Sequence, residues 1–179
     1  GRSGMGHGRV HWTANFDEIQ DFENDIRLFF GGEGFLPQAA WDDPDIRTPL
    51  GSKKKAGRSS DLDALAAYVA SLGLDKLPKS PYRRDDGNMT ELGHFGRAVF
   101  KQSGCMDCHS GDSLTDGKLH DVGTIRLSSG TRIGQTLTGI ETPTLLGLHD
   151  TAPYLHDGSA ANIAEVFAMF DAGAPAGSP

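Results

Sequence analysis

The chain has 179 residues, of which 37% are hydrophobic, and it carries a formal net charge of -7 at pH 7. This length allows one domain or two small ones, each with a modest core. The acidic balance argues against a nucleic-acid-binding protein, because such proteins need a basic face to neutralise phosphates. No apolar run approaches the roughly 20 residues of a membrane span, so we expect no transmembrane segment.

The first predicted helix lies between residues 16 and 30. Its apolar residues are separated by acids and amides and recur at spacings of three and four, which is typical of an amphipathic helix. Gly31 and Gly32 then supply a stop signal. The apolar positions are Phe16, Ile19, Phe22, Ile26, Phe29 and Phe30.

A long stretch without periodicity, residues 31–60, follows this helix. It contains three prolines and the lysine run 53–55, which we interpret as a solvated stretch. A loop of this length is unusual inside a compact domain, so we expect it to wrap another surface or to border a bound group.

A second helix is predicted from Ser60 towards Gly73, since Ser60 and Asp63 form an approximate capping box ahead of spaced apolar residues. The connection at residues 77–81 contains two prolines and cannot be helical. We therefore divide the chain into an N-terminal helical segment, residues 1–78, and a second domain, residues 79–179.

Two further helices are predicted in the second domain, one capped by Thr90 and one starting at Ser159. Residues 110–160 between them are rich in Gly, Thr, Ser and Asp and are predicted to form loops. Each helix has an apolar stripe that needs a partner, so we expect the two helices to pack against each other. The stripes are Leu92, Phe95, Val99 and Phe100 in the first and Ile163, Val166 and Phe167 in the second.

The helix after Thr90 leads directly to Cys105-Met106-Asp107-Cys108-His109, a C-x-x-C-H motif typical of c-type haem attachment. Two thiols at this spacing can each bond to one haem vinyl group, and the adjacent imidazole becomes an axial iron ligand. The chain has no other cysteine, which weakens three rival interpretations: a structural disulfide, a redox pair, and half of a zinc site needing two more ligands. The sequence therefore predicts one covalent haem c, held by Cys105, Cys108 and His109.

Four segments resemble, in order, the C-terminal domain of bacterial di-haem cytochrome c peroxidases: residues 96–100, the haem motif, 142–145 and 151–159. The resemblance covers roughly residues 79–170. In that family the C-terminal haem transfers electrons, while a separate N-terminal haem reacts with peroxide. The helix before the motif crosses the last helix closely there, which Gly96 would permit. The resemblance implies an all-α fold: a cytochrome c-like helical domain with long loops around the haem, plus an N-terminal helical extension.

The chain departs from this family in having one haem motif and not two. Residues 61–72 look like the closing helix of a family N-terminal domain. Trp12 is a candidate for the family's tryptophan between the haems, or else an ordinary packed aromatic. The chain begins at Gly1, without a signal peptide, so we expect a processed product or a piece of a longer protein. Either an upstream part carries the first haem, or the N-terminal domain has lost it.

The distal iron ligand is the second departure. The family places a methionine on the last helix, and by direct counting that position is Phe170, which cannot bind iron. Met169 lies about 100° round the helix, so a small shift in phase would bring its thioether to the iron. We therefore predict His109 and Met169 as the metal ligands. The alternatives are His120 and an open position.

These features favour a c-type cytochrome that transfers single electrons as one module of a larger or multi-haem redox protein, without catalytic residues of its own. Its partner would be a redox protein or a second haem domain. The alternative is a peroxidase or oxidase with an open iron site, assisted by Glu23 or His120. A haem-bearing adhesion or sensory module is a third interpretation. Because c-type haem is attached outside the bacterial inner membrane, we expect a periplasmic or extracellular protein.

Overall fold

The computed structural model of the chain describes residues 9–73 and 77–171, without the side chains of residues 170 and 171. Two antiparallel pairs of very short strands, which the sequence patterns do not predict, accompany the helices. The longest described helices have 12 residues, fewer than a membrane crossing requires. The helices are α1 Phe22–Leu28, α2 Gln38–Trp41, α3 Pro44–Arg47, α4 Ser60–Ser71, α5 Glu91–Gln102 and α6 Ile163–Asp171. The strand pairs are β1 Leu119–His120 with β4 Ile140–Glu141, and β2 Thr131–Arg132 with β3 Gln135–Thr136.

The chain divides into two compact units. One unit comprises Gly1–Gly73 and Thr131–Thr136, and the other comprises Leu74–Gly130 and Leu137–Pro179. The β2–β3 hairpin therefore belongs to the same unit as the N-terminal residues. The predicted division, with one boundary after residue 78, placed it in the second domain. Arg132 anchors the hairpin to the N-terminal residues by donating from Nε to the carbonyl of Thr13 at 2.9 Å.

The stretch 31–60, predicted as a loop, supplies three of the four residues of the buried core cluster in the first unit. It contains the short helices α2 and α3, and the buried core cluster is formed by Leu36, Trp41, Ile46 and Leu62. The first predicted helix is shorter than expected, since a 3-10 turn at Ile19–Asp21 precedes α1 and Phe29 and Phe30 lie beyond its end. Those two phenylalanines are exposed.

The lysine run 53–55 is not uniformly solvated, so that prediction is wrong for its last member. Lys55 is completely buried, and its ammonium group lies 2.7 Å from Oδ1 of Asp21, which is also buried. Lys53 and Lys54 are exposed and pair with Asp43 and Asp17. A charge buried in this way requires an opposite charge beside it, and periodicity alone cannot reveal that partner.

Glu23 is a structural carboxylate of the first unit. It is fully buried, accepts hydrogen bonds from the backbone N–H groups of Phe35 and Leu36, and pairs with Arg27 at 2.7 Å. Gly34 has a positive φ of 74°, and a Cβ there would overlap the Glu23 carboxylate. These contacts occupy the carboxylate, so this buried position does not suit the acid–base role considered for Glu23.

Glu23→Ala is expected to lower the free energy of unfolding by about 3–5 kcal/mol, because it leaves Arg27 and two backbone donors without their acceptor. Denaturant unfolding followed by circular dichroism measures this loss. Glu33→Ala, an exposed glutamate close by in the chain, is the matched control and should change stability little. Equal stability of the two variants would contradict the assigned role.

The second unit contains α5 and α6, but they do not pack as predicted. Thr90 does cap α5, since its Oγ1 accepts from Gly93 N at 3.1 Å. However, no described residue of α5 is buried, no extended interface joins α5 to α6, and a Cβ at Gly96 would meet no other atom within 4 Å. An apolar stripe indicates that a helix needs a partner surface, but it does not identify that surface. The helix predicted from Ser159 begins at Ile163.

Candidate functional site

The haem motif lies immediately after α5. Gly104 adopts a left-handed conformation with φ of 73°, which ends the helix and starts a 3-10 turn at Cys105–Asp107. The backbone N–H of His109 then donates to the carbonyl of Cys105 at 2.9 Å. Both thiols are free and half-buried. A local turn therefore carries both cysteines and the histidine.

The ring of His109 is oriented by a backbone carbonyl. Its Nδ1 lies 3.0 Å from the oxygen of Leu114, which has a positive φ of 51°. A carbonyl can only accept, so Nδ1 carries the hydrogen and Nε2 carries the lone pair. This is the usual arrangement of a metal-binding imidazole whose orientation is set by a second hydrogen bond.

Two threonines hold the loop that contains Leu114. The hydroxyl of Thr144 donates to the carbonyl of Ser113 at 2.6 Å, and the hydroxyl of Thr115 donates to the carbonyl of Thr142 at 2.5 Å. Thr142 and Thr144 belong to the segment 142–145 that resembles the peroxidase family. This segment thus stabilises the loop that orients His109, a role that the sequence pattern does not reveal.

The residues around the motif fit a covalent haem. The donor set comprises two thiols on one turn and an imidazole with a free Nε2 lone pair. Phe100 lies 6.3 Å from the His109 ring, measured between centroids, and the apolar side chains of Leu92, Phe95 and Val99 on α5 are exposed. A porphyrin offers apolar surface of the kind that such side chains bury favourably.

His120 lies beside the haem motif together with Asp116. Its Nε2 is 2.8 Å from Oδ2 of Asp116, and one ligand atom from each of Cys108, Asp116 and His120 lies within 4.8 Å of the others. The sequence patterns do not identify Asp116 as a site residue. Its four-residue spacing from His120 is compatible with a side-chain pair, but that spacing is a strong indication of contact only within a helix.

The pKa values of Cys108 and Asp116 are shifted in opposite directions. Burial, reinforced by the carboxylates of Asp116 and Asp107, raises the pKa of the Cys108 thiol, so the thiol stays protonated at neutral pH. Burial alone would also raise the pKa of Asp116. Hydrogen bonds from the Lys118 backbone and from His120 outweigh it and lower that pKa to about 2. Asp116 is therefore an ionised carboxylate with a largely buried side chain.

Acid should lower the free energy of unfolding of the natural chain, because it protonates the carboxylate of Asp116. A carboxylate with a lowered pKa stabilises the fold above its unfolded pKa of 3.8, and this contribution, about 2 kcal/mol, is lost as the pH falls towards 2. Asp116→Asn should remove that part of the acid dependence, as measured by denaturant unfolding between pH 2 and pH 5. Asp112→Asn, at an exposed position on the same loop, is the control. Identical acid profiles for the natural chain and Asp116→Asn would contradict this assignment.

Met169, Phe170, His156 and Trp12 are the other candidate residues named from the sequence. Met169 is half-buried on α6, which has no extended contact with the turn at Cys105–Asp107 in the described part of the chain. The side chain of Phe170 lies outside the described residues. His156, in the family-like segment 151–159, has its Nε2 2.7 Å from Oγ of Ser129. Trp12 belongs to the first unit and is 40% exposed.

The sequence matches no family model, but it is similar to several characterised proteins. It is 29% identical to hydrazine synthase subunit gamma of Kuenenia stuttgartiensis over 55% of this chain and 38% of the relative. Cytochrome-c peroxidase IdrP2 of Pseudomonas sp. strain SCT is 26% identical over 65% and 41%, and the methylamine utilization protein MauG of Methylorubrum extorquens is 28% identical over 69% and 37%. The chain therefore spans about two fifths of the length of these relatives.

Two solved structures share the fold. A hydrazine synthase structure from Kuenenia stuttgartiensis aligns with a TM-score of 0.54 and 27% identity over 80% of this chain and 49% of the other. A MauG-like protein associated with microbial copper homeostasis aligns with a TM-score of 0.55 over 93% and 56%; its 17% identity supports the fold alone. The chain is thus similar in sequence to MauG and to a cytochrome-c peroxidase, in agreement with the family resemblance of its motifs.

Proposed function

We propose that this chain is a c-type cytochrome module that holds one haem through Cys105 and Cys108, with His109 as the proximal iron ligand. The observation that carries the proposal is the His109 ring, which donates through Nδ1 to Leu114 O and directs a free Nε2 lone pair away from that bond. The similarity to MauG and to a cytochrome-c peroxidase supports a redox role for the haem.

When bound, the haem supplies a one-electron couple. The residues of the chain set the conditions under which it works. Leu114 keeps His109 in one tautomer and one orientation, and it strengthens the imidazole as a ligand. The ionised carboxylate of Asp116, close to Cys108, favours the more positively charged oxidation state and so lowers the reduction potential. Electron transfer then requires no acid or base from the protein.

On the distal side we propose Met169, because α6 follows the segment 151–159 that precedes the distal methionine in the family. His120 is the less favoured candidate, because its Nε2 already pairs with Asp116. The N-terminal segment 1–78 contains no cysteine and is proposed to bind no haem of its own. A cytochrome c-like helical fold for residues 79–179 completes this assignment.

We further propose that the chain acts as one part of a larger or multi-haem redox protein, and that it receives its haem in the periplasm or outside the cell. Two facts support the role within a larger protein: the chain spans about two fifths of the length of these relatives, and one of them is a subunit of hydrazine synthase. The partner would be a redox protein or a second haem domain.

A peroxidase or oxidase is the second candidate function. The similarity to cytochrome-c peroxidase IdrP2 favours it, and the His120–Asp116 pair is an acid–base pair close to the haem motif. Such an enzyme needs an open iron position, so its ferric form would be high-spin.

Haem content and the optical spectrum test the proposal together. The purified chain should contain one haem per polypeptide, be low-spin in both oxidation states and show the long-wavelength ferric band of methionine ligation. A high-spin ferric spectrum with hydrogen peroxide turnover would favour the enzyme instead. A ratio of two haems per polypeptide would contradict the assignment of a single site.

A further inference from the structure

Cys108, Asp116 and His120 converge from three parts of the second unit. Their ligand atoms lie within 4.8 Å of one another, and two of them, Nε2 of His120 and Oδ2 of Asp116, are already 2.8 Å apart. Thiolate, imidazole and carboxylate are the three common protein ligands of zinc. Tetrahedral bonds of about 2.0–2.3 Å would place the ligand atoms roughly 3.3–3.6 Å apart. Binding would therefore replace the hydrogen bond between Nε2 and Oδ2 by bonds to the ion, with shifts of about 1 Å or less.

The backbone holds the cluster from each side. His120 lies on β1, where it is paired with Ile140 of β4. Asp116 accepts from Lys118 N through Oδ1, which leaves Oδ2 directed to His120. Cys108 ends the 3-10 turn of the haem motif. Each ligand is therefore positioned by backbone hydrogen bonds or strand pairing, and Asp116, although in a loop, is oriented by Lys118 and His120, which lowers the cost of binding an ion.

Exposure of the side chains suits a site with one open position. Asp116 is 12% exposed and His120 is 35% exposed, so the cluster is partly shielded from water and still accessible to an ion. Three protein ligands with a water in the fourth place is a common arrangement for zinc that is not purely structural. Cys105 is not a member of the cluster, which distinguishes this site from binding by the C-x-x-C pair.

We propose that, before haem attachment, Cys108, Asp116 and His120 bind one zinc-like divalent transition-metal ion. Binding displaces the thiol proton of Cys108 to solvent and forms a sulfur–metal bond. The same sulfur is needed for the thioether to haem, so metal loading and haem attachment exclude each other at Cys108. This exclusion rests on the proposed haem function, whereas the metal site itself does not.

The test uses the full chain with both thiols free and reduced, titrated with Zn²⁺ by equilibrium dialysis and with Co²⁺ as a spectroscopic probe. We expect one ion per chain and a thiolate-to-cobalt absorption band. Cys108→Ser should abolish that band. His120→Gln and Asp116→Asn should each weaken Zn²⁺ binding at least about tenfold.

Matched variants distinguish metal binding by Cys108, Asp116 and His120 from metal binding by the C-x-x-C pair. Cys105→Ser and His94→Gln, the latter at an exposed position on α5, should leave Zn²⁺ affinity unchanged. Equal losses for Cys105→Ser and Cys108→Ser would mean binding by the C-x-x-C pair, and would overturn the proposal. So would unchanged affinity in both His120→Gln and Asp116→Asn, or a thiol-form chain that is unfolded by circular dichroism.

The haem-loaded chain separates this proposal from the proposed function. It should bind no Zn²⁺ at Cys108, while the thiol form does. A chain that accepts covalent haem but binds no Zn²⁺ in its thiol form would overturn the metal site and leave the cytochrome assignment intact. A chain that binds Zn²⁺ as described but never acquires haem would overturn the cytochrome assignment and support the metal site.

Discussion

A chain with both Cys105→Ser and Cys108→Ser is expected to lose all haem on a denaturing gel, whereas the natural chain keeps it. Thioether bonds survive unfolding, while the bond from His109 to iron and the apolar contacts of the haem do not. Each single variant should retain haem through the remaining thioether, at lower yield. Haem staining and the intact mass of the chain measure the result.

Met106→Ser is the matched control, since it changes the same turn without removing a thiol. It should keep the haem through denaturation. If the natural chain, produced where c-type haem is attached, has the mass of the bare polypeptide, the haem assignment is wrong. In that case the cluster of Cys108, Asp116 and His120 would become the leading interpretation of the cysteine motif.

Met169→Ala is expected to convert a low-spin haem to a high-spin one and to lower the reduction potential. The thioether of a distal methionine stabilises ferrous iron, and its loss leaves water or an open position. Absorption spectra of both oxidation states and a redox titration measure both effects. Met89→Ala is the matched control, since Met89 is distant from α6 in the sequence. It should change neither the spin state nor the reduction potential.

His120→Gln separates the two ligand candidates. If the distal ligand is Met169, this variant keeps the low-spin spectrum, because His120 is engaged with Asp116. If the spectrum is unchanged in Met169→Ala but changes to high spin in His120→Gln, ligation is bis-histidine. Natural haem that is high-spin from the outset would point to an open site and to peroxidase-like chemistry.

Some features of this protein follow from residues that are close in the chain. The haem chemistry proposed for Cys105, Cys108 and His109 depends on five consecutive positions, so a short motif is enough to predict it. The N-cap of α5 at Thr90 and the run of α4 are also local, because capping and periodicity act within one or two turns. Where a local signal was weak, as at the start of α6, the predicted boundary was displaced by four residues.

Long-range contacts were decided only by the tertiary structure. Lys55 meets Asp21 across 34 positions, and Thr115 meets Thr142 across 27. Neither pair leaves a periodic signal, because a hydrogen bond needs only one donor and one acceptor brought together by the fold. The same reason applies to Cys108, Asp116 and His120. By itself the sequence determined the C-x-x-C-H motif and the helix before it. The residues that orient His109 and lie close to Cys108 come from loops and strands that only the folded chain brings together.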